Sequence, residues 1–419
     1  MDRKQVGAWA LYDFANSVFP AVMTTAVFPV YYIAVIVGEA AAPGVGEWWW
    51  GRAVALSALI VAVTSPLLGA IADRGGARKR FMFAYVAVCV AAVACMATLE
   101  AGMILQGFVL FVIANVGFEG ANVFYNAYLP DIAPPNRRGF VSGLGFGIGY
   151  LGSALGLVMA IPFVDRIEIV WLLVAGFFAV FSLPALFFLP PDRPTGVTIP
   201  EAARWGVGNF RTIVGEVWAN RELRRFLLAF FFYIDGVLTI IVMAGAVATG
   251  TFGFDQQGTI VLFLIVQFSA LAGAFALARP TDRFGPKRVL SGVLALWIAV
   301  GVSAYLIRSP ALFYAMAVVA GLGLGSVQSA SRAFMASLVP EGREAAMFGF
   351  YALCGKTSSM IGPMLFGFVT VMAGGNQRPG FLVLTALFVV GLVLLQRVGD
   401  PAASPVAHAA AGRELGGSS

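Results

Sequence analysis

The sequence predicts an all-α polytopic membrane protein, with twelve transmembrane helices in two pseudo-twofold-related six-helix bundles. Three observations lead there. Hydrophobic residues make up 60% of the 419 and charged residues only 11%, where a soluble domain carries roughly a quarter charged. Apolar runs of about 20 residues, enough to cross a bilayer, recur along the chain in place of the short alternating segments of a barrel. A basic loop pattern also occurs twice, about half a chain apart.

The predicted spans run roughly 8–37, 53–72, 81–99, 102–128, 139–162, 168–189, 226–249, 257–278, 289–307, 310–338, 345–373 and 379–396. The first follows "MDRKQVGAWALYDF". Its apolar stretch is longer than a signal-peptide core and no small-residue cleavage site follows, so it is a retained span. Of the 27 Lys and Arg residues, 21 fall on the side that holds both termini. The opposite side holds four: Arg52, Arg166, Arg308 and Arg378. That bias places both termini in the cytoplasm. The positive residues sit beside spans, so the net charge of +6 points to membrane lipid and not to nucleic acid.

The predicted organisation is a first bundle over 1–189, a cytoplasmic linker over 190–225, a second bundle over 226–398 and a disordered cytoplasmic tail over 399–419. The linker contains "WGVGNFRTIVGEVW", which sets Phe210, Ile213, Val214, Val217 and Trp218 on one helical face. Such a helix fits the inner membrane surface and fits equally well as a packed connector. The tail is small and polar and carries the single histidine, His408. Histidine is therefore excluded as an intramembrane proton carrier. Cys89, Cys95 and Cys354 lie in predicted spans without metal or disulfide spacing, and are expected to be packing residues.

The loop after the second span reads "GAIADRGGARKR" and the loop after the eighth reads "ARPTDRFGPKR". Asp73-Arg74 matches Asp282-Arg283, Gly76 matches Gly285, and Arg78-Lys79 matches Lys287-Arg288, at an offset of 209. Gly69 opens the first copy, and Ala278 replaces it in the second. Glycine permits a tight turn and close helix approach. Asp73 is suited to pairing with a base or accepting hydrogen bonds at a helix start.

In the fourth span Asn115, Glu119, Asn122 and Asn126 recur at intervals of four, three and four, which places them on one helical stripe. A charge in lipid costs roughly 2.5–3.5 kcal/mol on insertion scales, and unpaired amides add to it. The stripe must therefore face other helices or water. The tenth span repeats the spacing with Gly321, Gly325, Gln328 and Arg332, at an offset of 206. Corresponding helices thus carry corresponding stripes, and both are expected to line one central gap. Asp235 and Lys356 fall near mid-depth of spans seven and eleven, and Asp13 near the inner end of span one. Glu119 is expected to face Lys356 or Arg332. Opposite charges keep each other ionised, whereas an acid buried alone becomes a proton carrier. Asn16, Gln267 and Tyr125 complete the candidate substrate or proton-coupling set. Tyr128 is equally suited to packing or to the membrane interface, and the glycine row "GLGFGIGYLGSALG" in span five reads as a close-packing face.

Three segments carry a resemblance: "WALYDFANSVFPAV", "FYNAYLPDI" and "GLGLGSVQSASRAFMASLVPEGREAAMFGFYALCGKTSSMIGP". They resemble the bacterial unknown-major-facilitator family, related to fungal vacuolar autophagy-associated amino-acid effluxers, over about residues 5–395. The pattern G-x-x-x-D-R-x-G-x-R-K at 69–79 resembles the loop between spans two and three of major facilitator transporters. The resemblance implies the major facilitator fold, an inner-membrane location, a monomer, and secondary active transport by alternating access. It implies a small polar or zwitterionic cargo such as neutral amino acids, moved by efflux and coupled to protons or another ion. It also implies that Gly69, Asp73, Arg74, Gly76, Arg78, Asp282, Arg283, Gly285 and Lys287 form a cytoplasmic gate loop that latches in one conformation. Proton coupling would use Glu119, Asp235 or Asp13. Two alternatives remain: a drug or lipid exporter of the same fold, which predicts a greasier gap without bases, and a non-transporting membrane sensor. No metal-spaced His/Cys cluster, nucleophile–base pair or phosphate loop occurs, so neither an enzyme nor a cofactor or metal is expected.

Overall fold

The computed structural model describes residues 1–38, 42 and 44–399. Apart from Gly399, the predicted tail, with His408, lies outside the described residues. Helices dominate because a chain in lipid must satisfy its backbone polar groups within each segment. Among the described residues, eleven helical segments are long and apolar enough to cross a membrane. Spans one to six are Arg3–Val37, Val45–Arg74, Arg78–Thr98, Ile104–Ile132, Pro135–Phe163 and Ile167–Phe188. Spans seven to ten are Arg221–Phe252, Gln257–Phe284, Pro286–Leu306 and Pro310–Leu338, and span twelve is Arg378–Gln396. Their outward faces leave large apolar side chains bare, among them Val63, Phe187 and Val242, as lipid-facing surfaces do.

The expectation of one continuous helix over 345–373 requires correction. Two helices, Glu344–Ser358 and Ile361–Met372, follow each other in the place of span eleven. Pro363 has no N–H to give to the carbonyl four residues back, that of Ser359, and its ring crowds that carbonyl. The Thr357, Ser358 and Ser359 hydroxyls donate to the carbonyls of Leu353, Gly355 and Lys356, which loosens a helix end further. Span one is interrupted in the same manner. Pro20 opens a stretch of wide helical turns after Arg3–Asn16, and Pro29 sits at the start of the next short helix.

The linker holds two helices, Ile199–Gly208 and Phe210–Ala219. Thr198 and Glu201 close a reciprocal capping box at the start of the first, and the Thr198 N–H holds the Glu201 carboxyl below its ordinary pKa. Of the predicted apolar face, Ile213 and Val217 are buried while Phe210 and Trp218 remain exposed.

The two halves meet along two helix pairs. Span two runs against Glu344–Ser358, and span five runs against span eight. Both crossings need glycine. A Cβ on Gly69 would stand 2.3 Å from the Ala345 carbonyl, and one on Gly349 would stand 2.5 Å from the Ser65 carbonyl. At the other crossing a Cβ on Gly143 would stand 2.5 Å from the Ala278 methyl. Ala278 is therefore tolerated where the first copy has Gly69, because its partner helix supplies the missing space.

Candidate functional site

Both copies of the repeated loop perform one job, across the midline. Asp73 accepts the Ala345 and Ala346 N–H groups at 3.1 and 2.9 Å, at the start of Glu344–Ser358. Asp282 accepts the Gly139 and Phe140 N–H groups at 2.7 and 2.9 Å, at the start of helix Arg138–Ala160 in span five. Each aspartate thus caps a helix of the opposite half, where unpaired N–H groups and the helix dipole favour an acceptor. Gly76 and Gly285 both hold positive φ, 55° and 87°, which glycine alone adopts without strain. Lys79 donates to the Leu189 carbonyl at the end of span six. Lys287 donates to the Gln396 and Val398 carbonyls at the end of span twelve. Arg74 lies over the Trp205 ring, 4.3 Å from its centroid, and Arg283 lies over Phe284.

The two loop copies differ in charge. Arg78 sits 3.0 Å from Asp131, 3.5 Å from Glu344 and 3.8 Å from Asp73, so it joins acids of both halves. At the other copy Asp282 is held by the Gly139 and Phe140 N–H groups and, among the described residues, forms no ion pair, while Arg138 donates to the Ala336 carbonyl at 2.9 Å.

Further from the termini two ion pairs cross the midline. The Arg332 Nη1 lies 3.0 Å from the Asp13 carboxylate and donates to Asn126 Oδ1 at 3.3 Å. Its Nε and Nη2 donate to the Ser142 hydroxyl and carbonyl at 3.0 and 2.8 Å. The guanidinium is covered by Phe146 at 4.0 Å and Trp9 at 4.5 Å, a favourable cation–π arrangement. Arg332 is 3% exposed. Asp13, Trp9, Tyr12 and Tyr125 around it are buried as well. The layer is reinforced by Ser142 donating to the Ser329 carbonyl and Tyr150 donating to Gln328 Oε1, both across the halves. Tyr125 stacks against Trp9 and Tyr12, each at 4.6 Å between centroids.

Glu119 stands two helical turns further from the termini, about 10 Å along the stripe from Asn126. There it pairs with Lys356, again across the midline. Unlike the layer below it, this pair is only partly buried: the side chains are 18% and 30% exposed. Beside it, Asn16 donates to Asn122 Oδ1 at 3.0 Å.

The structure thus brings together Asp13, Asn16, Glu119, Asn122, Tyr125, Asn126, Gln328, Arg332 and Lys356. It leaves two candidates out. Asp235 accepts the Gly362 N–H at 3.0 Å and the Thr239 hydroxyl at 3.5 Å, inside its own half. Gln267 is part-exposed on span eight. Asn115, first in the stripe, donates to the Ser57 hydroxyl within the first half. Sequence reasoning missed Ser142, Trp9, Phe146 and Tyr150. Trp9 carried a signal, since it stands one turn before Asp13 on the same helix face. Phe146 and Tyr150 were hidden in the glycine row, and Ser142 immediately precedes it.

The profile of the family described as "Vacuole effluxer Atg22 like" matches residues 52–139 and 134–403. The uncharacterized MFS-type transporter YxiO of Bacillus subtilis is 31% identical over 97% of each chain. Autophagy-related protein 22 of Coccidioides immitis is 26% identical over 81% of this chain and 70% of its own length. Among solved structures, the human organic anion transporter MFSD10 shares the fold, with a TM-score of 0.77 at 16% identity, over 94% of this chain and 99% of that one. The chain belongs to the Atg22-like family within the major facilitator superfamily, and it is a membrane transporter and not an enzyme.

Proposed function

We propose that this chain is a secondary active transporter of small zwitterionic metabolites, with neutral amino acids as the cargo class and export as the direction. The carrying observation is the Glu119–Lys356 pair, a carboxylate from one half against an ammonium from the other, only partly buried. A zwitterion offers the same two charges. Its carboxylate would take Lys356 and its ammonium would take Glu119, so cargo would replace the direct pair and bridge the halves. Paired bases in the gap count against a drug or lipid exporter. The word effluxer in the family's description supports the direction.

The halves 1–189 and 226–398 would rock about the linker 190–225, with the termini side facing the cytoplasm of a bacterial inner membrane and the monomer as the working unit. The contacts made by Asp73, Asp282 and the Asp13–Arg332 pair between the halves on the termini side support a reading in which cargo would reach the Glu119–Lys356 pair from the opposite side. Coupling would follow from competition. A proton on Glu119 removes the charge that holds the cargo ammonium, so proton and cargo exclude each other there and exchange in opposite directions.

The test uses proteoliposomes loaded with labelled alanine, serine, leucine and phenylalanine. An imposed proton gradient should drive release, and Glu119→Gln and Lys356→Ala should abolish it. Unchanged transport by both variants would show that the site is elsewhere.

A further inference from the structure

Asp235 is 1% exposed, and among the described residues no basic side chain pairs with it. A carboxylate so placed in a membrane helix is costly and calls for a role. Its contacts supply one. It takes the Gly362 N–H at 3.0 Å, at the start of Ile361–Met372, one residue before the proline that breaks span eleven. Gly362 is required there, because a Cβ would stand 2.0 Å from the Thr239 hydroxyl and 2.7 Å from Asp235 Oδ1.

The two pieces of span eleven are held differently: the inner piece packs on both halves, with Tyr351 stacked on Phe230 of span seven at 4.1 Å, whereas the outer piece packs on its own half. Glu344–Ser358 is docked on the first half through the Gly349 crossing, the Asp73 cap and the Lys356–Glu119 pair. Ile361–Met372 is docked on its own half, by Asp235 and by Phe366 packed edge-on against Phe381 of span twelve. When the halves part, only the first set of contacts breaks. The joint at 359–363 must absorb the difference.

We propose that Asp235 is a positioning residue that pins this joint, so that the Lys356-bearing segment tilts against a fixed outer segment. It does so as a hydrogen-bond acceptor, which does not require its charge, and it is not a proton carrier. The proposal rests on the transport reading above for what Lys356 does, but the joint itself can be tested without any cargo.

The first arm measures amide hydrogen exchange in the full chain in lipid nanodiscs. Asp235→Ala should speed exchange around Gly362 by about tenfold, the size of one net hydrogen bond, with Glu344–Ser358 unchanged. Asp235→Asn keeps an acceptor oxygen and should stay close to wild type. Should Asp235→Ala fail to fold, Thr239→Val, which removes only the supporting hydroxyl, should give a smaller acceleration at the same amides. The second arm measures release of the labelled amino acids in proteoliposomes. Asp235→Asn should keep wild-type KM and its response to the proton gradient, whereas Asp235→Ala should raise KM through a mispositioned Lys356. Two results would overturn the proposal: exchange near Gly362 that ignores Asp235→Ala and Thr239→Val, or Asp235→Asn losing proton-driven release while Gly362 stays protected. Normal exchange effects with no amino-acid transport by wild type would instead count against the cargo assignment alone.

Discussion

Arg332 donates a hydrogen bond to Asn126, a residue 206 positions away, and 206 is also the offset that lays the polar stripe of span ten on that of span four. Each residue is the other's counterpart in the repeat. Two equivalent positions can touch only beside the axis that relates them. Arg332 is therefore a single cation at the molecular centre, and beside its counterpart Asn126 it meets Asp13 and Ser142 of the other half.

Breaking this pair should be costly. Removing one partner of a buried ion pair typically destabilises by about 3–5 kcal/mol, because the other charge is stranded. Arg332→Gln should lower the thermal midpoint of the purified protein clearly more than Asp13→Asn combined with Arg332→Gln. Arg332→Lys should not restore stability, since a lysine cannot supply the fork that serves Asp13, Asn126 and Ser142 together.

The helix crossings predict a symmetric pair of effects. Gly349→Leu and Gly143→Leu each push a side chain into a space filled by the other half. Both should hold the termini side open. Cysteines placed on that side should react with a membrane-impermeant maleimide about tenfold faster in either variant, since about 1.4 kcal/mol against the closed state is a factor of ten. Equal reactivity with wild type would mean that the crossings stay apart in the working protein.

The two loop copies, by contrast, should respond unequally to charge removal. Arg78 reaches Glu344 of the opposite half, while Lys287 bonds only to carbonyls of its own half. Arg78→Ala should therefore raise labelling on the termini side, and Lys287→Ala should leave it near wild type. High salt should matter little at Arg78, whose partners are nearly buried.

Much of this arrangement was legible in the sequence, and the gaps have physical causes. The stripe spacing placed Glu119, Asn122 and Asn126 on one inward face, and the two offsets exposed the repeat. The sequence left Glu119 to face Lys356 or Arg332, and the crossing of the halves selects Lys356. The choice of partner was not legible for Arg332, because three acids and two bases allow several matchings and only the crossing of spans one and ten selects Asp13. The break in span eleven escaped because a hydropathy run averages over Pro363, although proline at that point removes a backbone donor. Asp235 looked like a lone membrane charge for the same reason, since its partner is a backbone N–H that only the break sets free.

The most direct measurement is thermal stabilisation of the purified protein by alanine, serine, leucine and phenylalanine, each beside its amide and its N-acetyl derivative. Ligands that bind the folded state raise its apparent stability in proportion to saturation, by about 2.7 kcal/mol at a hundredfold excess over Kd. If cargo spans Glu119 and Lys356, at least one free amino acid should stabilise the protein. Its amide, which lacks the carboxylate, and its N-acetyl form, which lacks the ammonium, should not, and Glu119→Gln and Lys356→Ala should each erase the effect. Equal stabilisation by all three forms, or an effect that survives both substitutions, would contradict the account.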